Sequence, residues 1–456
     1  MRLSLSVFLL ACCIEAEDWS RFRGPNGSGI ATTGGSYPVE FHPSSANLMW
    51  RTPLRPGKSS PVLTDQHIFL TGYENQVLYT QCFDRATGKL LWEREQAVAH
   101  KAGVNALNHP AAISPVTDGS NVYVFFKDYG LLSYSASGKL RWSVPLGPFT
   151  NAQGLGAAPI LAGDMVILQV DQLEDSYIAA FAASNGKQRW KVAREESESW
   201  GTPLLSKDST VIFTVGANRI GGHRVSDGKR LFTSTHASPS MVASPVLDAA
   251  NDVLYAFGYG YQTSIPFSRM LERSDKNKDG KLTPDEYGTV NVMRAAGHYM
   301  GNGDGIVTEE KWNQWNAHVQ GLSGLVALDL AKPATAPPLW RYDKGFDSVI
   351  PSPLVYGGIV YSVRNGGILT AFDARAGEVV KSARIPGALG GYASSPVAGG
   401  GHLYFCNEEG KVAVLKPGRD WELVQLNDFK EDIFATPALS QGKLYIRTAA
   451  ALYAFR

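Results

Sequence analysis

Twelve consecutive residues, Asp275-Lys276-Asn277-Lys278-Asp279-Gly280-Lys281-Leu282-Thr283-Pro284-Asp285-Glu286, put oxygen-bearing groups at the spacing that a hard cation requires. Calcium takes about six to eight oxygens. Asp275, Asn277 and Asp279 can turn three side-chain oxygens inward, Gly280 permits the sharp turn, and the carbonyl of Lys281 faces the ion. Thr283 contributes directly or through a water, and Glu286 closes the far side with both carboxylate oxygens. Leu282 is the apolar anchor of the loop. The chemistry implied is metal binding, not catalysis, because a loop of this kind saturates its own ion.

Such a loop needs a helix on each side. Residues 267–273 and 285–296 carry apolar side chains at helical spacing, so the segment reads as an EF-hand, a helix–loop–helix calcium module. A second hand follows. Asn302, Asp304, Gly305, Val307 and Thr308 match positions 3, 5, 6, 8 and 9, but Met300 stands at position 1 and Lys311 at position 12. A cation in place of the bidentate acid removes charge and geometry together. The second hand is therefore expected to be a structural partner that has lost its ion, with Trp312 and Trp315 packing the pair together.

The rest of the chain repeats a short phrase, a small residue followed by proline, at Ser60-Pro61, Ser114-Pro115, Ala158-Pro159, Thr202-Pro203, Ser244-Pro245, Ser352-Pro353, Ser395-Pro396 and Thr436-Pro437. Successive prolines are 54, 44, 44, 42, 108, 43 and 41 residues apart, and the one long step contains the calcium module. Each unit continues with alternating apolar strands and a polar turn. The clearest copy is Cys82-Phe83-Asp84-Arg85-Ala86-Thr87-Gly88-Lys89-Leu90-Leu91-Trp92, with relatives ending at Trp142, Trp190, Phe232 and Trp340 and weaker ones near Val380 and Trp421. Four short strands in each unit of forty-odd residues predict an all-β, eight-bladed β-propeller with a small α-helical EF-hand insertion in blade five. Trp50 precedes the first full unit and the last unit stops at Arg456 without its own fourth strand. An N-terminal strand is thus expected to complete the eighth blade.

From about Trp50 to Arg456 this repeat resembles the tryptophan-docking motif of the pyrroloquinoline-quinone (PQQ)-like propeller superfamily. The phrase Asp18-Trp19-Ser20-Arg21-Phe22-Arg23-Gly24-Pro25-Asn26-Gly27 resembles the N-terminal signature of a secreted branch of that group. The resemblance implies either a quinoprotein alcohol or glucose dehydrogenase or a non-enzymatic member such as the propeller lipoprotein of outer-membrane assembly. It specifies the fold more strongly than the function.

Boundaries follow: a signal peptide at 1–16, an N-terminal extension at 17–48, propeller at 49–258, the EF-hand insertion at 259–323, and propeller again at 324–456. Arg2 and the short apolar run up to Ala11 read as a secretory signal cleaved after Ala16, so the expected localisation is periplasmic or secreted. Leu9-Leu10-Ala11-Cys12 also resembles a lipoprotein signal, with Cys12 as the lipidated residue. The sequence has 43 basic and 42 acidic residues and no basic block, which argues against a nucleic-acid partner. Cys12 and Cys13 are adjacent, as in the disulfide that quinoprotein alcohol dehydrogenases hold against the quinone, but they lie in the signal segment. Cys82 and Cys406 are expected to be buried hydrophobes.

The loops entering the innermost strands should ring the mouth of the central channel. They supply Lys58, Asn105, His109, Gln153, Trp200, Met241, Asp347, Tyr392 and Phe434 as candidate binding residues for an envelope protein, glycan or small molecule. The calcium insertion emerges on the same face. No Gly-x-Ser-x-Gly elbow or His-Glu-x-x-His helix is present, and Glu195-Glu196 reads as a pair of solvated loop charges. The function expected is binding or scaffolding, with calcium as a structural ion. The alternative is a PQQ-dependent dehydrogenase of alcohols or sugars, for which PQQ is a possible cofactor without support from any motif.

Overall fold

A computed structural model describes residues 19–32, 35–100, 107–151, 153–260, 266–288, 296–297, 304–319, 323–344 and 350–456. The signal segment with Cys12 and Cys13, together with Asn105, Met300, Asn302 and Asp347, lies outside the described residues.

Within these residues the strands group into eight four-stranded antiparallel sheets. Seven are built from strands consecutive in sequence. The eighth joins Ala438–Ser440, Lys443–Arg447 and Ala451–Phe455 to Leu48–Pro53 from the other end of the chain, with Trp50 opposite Ala454 and Arg51 opposite Tyr453. The expected ring of blades, closed by an N-terminal strand, is what forms.

Burial along the strands explains why the ring is stable. Middle strands such as Tyr177–Ala182 are buried throughout, because both faces of each sheet pack on a neighbouring blade. Outermost strands such as Leu140–Pro145 alternate between exposed and covered residues. Apolar clusters fill the successive spaces between blades. One lies between blades one and two around Phe69, Val122 and Trp92, and one between blades six and seven around Tyr361, Phe405 and Leu415.

The docking tryptophans act between blades. Trp50, Trp92, Trp142, Trp190 and Trp340 donate Nε1–H to the carbonyls of Arg85, Ala136, Ala183, Val225 and Ala374, each in the polar turn of the next blade, at 3.3, 2.7, 3.0, 3.0 and 2.9 Å. Each ring also covers a turn glycine. At Gly186 φ is +73° and an added Cβ would come within 2.7 Å of the Trp142 ring, so glycine is required there for both conformation and contact. Trp421 is not a docking copy, contrary to the sequence reading. It comes from the turn of blade seven and lies under the Lys381 ammonium of blade six, 4.6 Å from ring centre, beside the small Val380.

The Ser/Thr-Pro phrase begins the innermost strands. Each of its hydroxyls accepts the backbone N–H of the corresponding residue one blade earlier. Ser114 accepts from Ser60, Thr202 from Ala158, Ser244 from Thr202, Ser352 from Ser244, Ser395 from Ser352 and Thr436 from Ser395, all at 2.9–3.0 Å. Ala158 interrupts the series because it has no hydroxyl to offer Ser114.

Before the first blade, the N-terminal extension crosses the far end of the channel. Leu63 N–H donates to Trp19 O, Thr117 N–H to Ser20 O, and Ala398 N–H to Gly29 O, which ties the segment to innermost strands of blades one, two and seven. Asn26 exchanges hydrogen bonds with the backbone of Leu205 in blade four. The extension thus forms a floor beneath the channel.

Between the second and third strands of blade five, Val253–Gly258 and Gly324–Asp329, lie helices α1 (Phe267–Ser274), α2 (Pro284–Tyr287) and α3 (Glu309–Val319). They share a small core of Phe267, Met270, Leu282, Tyr287, Val307, Trp312 and Trp315. The rings of Trp312 and Trp315 are 5.3 Å apart. Helix α2 ends at Gly288, which has a positive φ of +55°.

Candidate functional site at the channel mouth

The loops that enter the innermost strands meet the loops joining second and third strands on one face, and the mouth is built from both sets. Lys58 Nζ lies 3.8 Å over the Phe434 ring and donates to Leu107 O at 3.1 Å. Asn108 Nδ2 donates to Gln153 O at 2.8 Å, Trp200 Nε1 to Gly154 O at 2.7 Å, and Trp200 N to Met241 O at 3.0 Å. Phe434, Lys58, His109, Gln153, Trp200 and Met241 therefore follow one another around the rim from blade eight through blade five. Five of them are half-buried and available at the surface, while Met241 is fully buried.

Tyr392 does not line the mouth. Its side chain is 1 % exposed and its hydroxyl donates to Ala388 O at 2.6 Å, so the ring serves the packing between blades six and seven. The sequence pattern placed its backbone in the loop but could not say which way the ring turned.

Charge at the mouth is mixed. Burial lowers the pKa of the Lys58 ammonium, against the pull of Glu408 and Asp432. Burial raises that of the Glu408 carboxyl against the pull of Lys58, with Asp432 and Glu409 adding to the rise. His109 is held down to about 4, by burial first and then by Arg447, Lys58 and Lys127, so it is neutral near pH 7. Its Nδ1 accepts the N–H of Ala111 at 3.1 Å and its ring stands edge-on to Tyr73 at 5.9 Å. An ammonium, a neutral imidazole, an indole, a phenyl ring and a half-buried carboxylate together suit recognition of a polar surface with aromatic or anionic groups. Glu408 was not among the sequence candidates. Its place in the loop joining the second and third strands of blade seven was the available signal, since the topology puts such loops on this face.

Beside the rim lies a buried polar network. Arg194 grips Asp171 with two bonds, Nε to Oδ1 at 2.6 Å and Nη2 to Oδ2 at 3.1 Å. Gln169 Nε2 donates to Asp171 Oδ2 at 2.8 Å and Ser199 Oγ also donates to it. Arg194 Nη1 reaches Thr214 Oγ1 at 2.9 Å and His223 Nε2 at 3.3 Å. Glu196, expected to be solvated, instead has a side chain 1 % exposed and pairs with Arg230 at 3.1 Å, while its neighbour Glu195 is exposed and pairs with Arg219. The local sequence looked like a charged loop. Arginines from the neighbouring strands and loop draw one acid inward.

In the helical insertion, the twelve-residue loop is held by its own acids. Asp275 accepts N–H bonds from Lys278 and Gly280 at 2.7 and 3.0 Å, Asn277 Oδ1 from Asp279 at 2.9 Å, and Asp279 Oδ1 from Lys281 at 2.9 Å. Glu286 accepts from the N–H groups of Lys276 and Thr283 at 3.1 and 2.9 Å and from Thr283 Oγ1 at 3.0 Å. Among the described residues no three His, Cys, Asp or Glu side chains converge as a ready-made metal cage. Leu282 and Val307, which occupy equivalent places in the two loops, exchange backbone bonds at 2.9 and 2.8 Å. In the second loop Lys311 Nζ donates to Asp304 Oδ1 at 2.6 Å and to Ile306 O at 3.1 Å.

Cys82 and Cys406 are buried, unbridged and on different blades, with their thiols pushed up to about 12 by burial. Among the described residues no helix is long and apolar enough to cross a membrane.

Comparison with known proteins finds a family described as outer membrane protein assembly factor BamB, matched over residues 22–152, 81–278 and 317–456. One curated relative, outer membrane protein assembly factor BamB of Moranella endobia (strain PCIT), is 26 % identical over 172 residues. That match spans 37 % of this chain and 41 % of the relative's length. Among solved structures, BamB from Moraxella catarrhalis has a TM-score of 0.54 at 14 % identity, covering 89 % of this chain and 96 % of that one. A europium-containing methanol dehydrogenase has a TM-score of 0.61 at 10 % identity, covering 95 % and 90 %. Likeness at such identities shows the propeller fold alone.

Proposed function

This chain belongs to the PQQ-like propeller family described as outer membrane protein assembly factor BamB, and on that premise we propose that it is an extracytoplasmic binding or scaffold protein that docks a partner at the channel mouth. The observation that carries this reading is the linked rim from Phe434 through Lys58 and His109 to Trp200, half-buried side chains of mixed character held in place by bonds between blades. The partner is an envelope protein, a glycan or a small molecule with anionic or aromatic groups. The protein works in the periplasm or outside the cell, either secreted or lipid-anchored through Cys12.

The second element of the proposal is calcium in the loop of Asp275, Asn277, Asp279, Lys281, Thr283 and Glu286, acting as a structural ion in a paired EF-hand beside the mouth. The paired backbone bonds of Leu282 and Val307, the positive φ of +76° at Gly280 and the shared aromatic core all support it. When bound, calcium supplies a fixed divalent charge that draws the loop's carboxylates together. Lys311 holds Asp304 and Ile306 O in the second loop, which supports a partner hand that carries its own cation in place of a metal.

The test uses the metal-stripped mature protein with calcium restored. Titration with PQQ, read by quinone absorbance, is expected to show no saturable binding. Crosslinking to envelope fractions is expected to give a discrete adduct that Lys58→Ala and Phe434→Ala remove. One-to-one binding of PQQ would overturn the scaffold reading in favour of a quinoprotein dehydrogenase, and an adduct unaffected by both substitutions would move docking away from the mouth.

A further inference from the structure

The floor beneath the channel carries two cations that nothing in the described protein balances. Arg21 is 7 % exposed and Arg23 0 %, both far more buried than an unpaired guanidinium ordinarily is. Arg21 Nη2 donates to Pro203 O at 2.6 Å and Arg23 Nη2 to Pro353 O at 2.7 Å. Those carbonyls belong to the innermost-strand phrases of blades four and six. The two guanidiniums therefore reach up from the floor into the channel itself.

Arg23 Nη2 also reaches Ser28 O at 3.5 Å, but several other donors are unspent. Arg21 Nε, Arg23 Nε and Arg23 Nη1 are buried with no hydrogen-bond partner, as is Trp19 Nε1 of the same segment. No carboxylate among the described residues acts on either arginine. Burial alone lowers the pKa of Arg21, and burial together with repulsion from Arg21 lowers that of Arg23. The backbone is bent to hold them there. Arg23 has a φ of +62°, a left-handed conformation that few residues other than glycine adopt, and Gly24 follows at +64° against the Trp19 ring.

A guanidinium has five N–H donors and no acceptor, so this cluster can only be completed by acceptors. Water could take some of the N–H groups but would leave two adjacent positive charges uncompensated in a low-dielectric site. An anion answers both needs, and charge-assisted bonds to arginine are among the stronger hydrogen bonds available. We propose that the floor of the channel binds a small inorganic anion between Arg21 and Arg23. The N-terminal phrase is then more than a plug: it carries an anion site of its own, independent of whatever docks at the mouth on the opposite face.

The test takes the mature protein through thermal melts at constant ionic strength, with gluconate replaced stepwise by inorganic phosphate and, separately, by bromide. At least one of the two should give a saturable rise in melting temperature. The doubly substituted Arg21→Met, Arg23→Met variant should lose that saturable response, and crystals grown in bromide should show an anomalous peak within hydrogen-bonding reach of Arg21 Nε or Arg23 Nη1 if bromide is the anion that stabilises. Melting indifferent to both anions, or the same response in the double variant, overturns the proposal. Should the double variant fail to fold, the wild-type crystals decide, in bromide or in phosphate according to the melts: a floor without the stabilising anion refutes the site.

Discussion

Thr436 donates its backbone N–H to Ser60 Oγ at 3.0 Å, joining residues 376 apart in sequence and closing the line of Ser/Thr hydroxyls around the channel. The repeated Ser/Thr-Pro phrase thus has a purpose beyond marking strands. Its proline cannot donate to the ladder, and its hydroxyl accepts an N–H that the blade before it leaves over.

Ser60→Ala should strand the buried Thr436 N–H and lower stability by about 1–3 kcal/mol. Ala158→Ser should do the opposite, offering Ser114 the acceptor that its neighbours have and adding about 0.5–1.5 kcal/mol. Denaturant midpoints at constant m-value would measure both. An unchanged midpoint for Ser60→Ala would mean that the hydroxyl ring contributes nothing.

Trp142→Ala should be among the more damaging single changes, costing about 3–5 kcal/mol through the cavity left over the turn of the next blade. Gly186→Ala should also destabilise, because the methyl meets the Trp142 ring at 2.7 Å in a left-handed conformation. Phe232 occupies the docking position of blade four beside a pocket of ≈ 200 Å³ lined by Leu328, Leu330, Pro333 and Pro337. Phe232→Ala should therefore cost less than Trp142→Ala, and a melting series compares them directly.

Chelation of calcium should make the insertion sensitive to protease while the blades stay intact. Glu286→Gln should give the same cleavage pattern without chelator. Lys311→Ala should loosen the second loop even with calcium present, since its ammonium is the cation that Asp304 and Ile306 O share. Digestion patterns that do not change with calcium would dispose of the metal reading.

His223 predicts a pH dependence. Its side chain is fully buried, with Nδ1 donating to Gly228 O and Nε2 accepting from Arg194, and burial followed by Arg194 holds its pKa down at about 4, well below that of an ordinary histidine. Below about 6.5 the unfolded chain binds a proton that the folded chain refuses. The stability is whole above that pH and falls as pH drops toward 4, by roughly 3 kcal/mol at most from this residue. His109 acts in the same direction. Urea midpoints at pH 7 and pH 4.5 should fall further in the wild type than in His223→Gln, and equal falls would rule His223 out as a cause.

Much of this was legible in the chain. The period of the proline phrase, the Gly-Lys turns and their tryptophans determined eight blades and a strand exchanged between the chain ends, because each repeat is a local unit whose apolar faces have one way to be covered. The spacing of oxygens from Asp275 to Glu286 is likewise local, since the turn and the ligand pattern that motivate the calcium proposal lie within twelve adjacent residues.

The tertiary structure decided what depends on residues far apart. Tyr392 turned into the packing, Glu196 was drawn inward by Arg194 and Arg230, and Trp421 packed backward onto blade six, none of which a local pattern encodes. Arg21 and Arg23 stand in the sequence only as members of the N-terminal phrase, and their burial belongs to the folded ring. Side-chain direction and burial are properties of the closed ring, and a charge becomes chemically informative only when its surroundings are known.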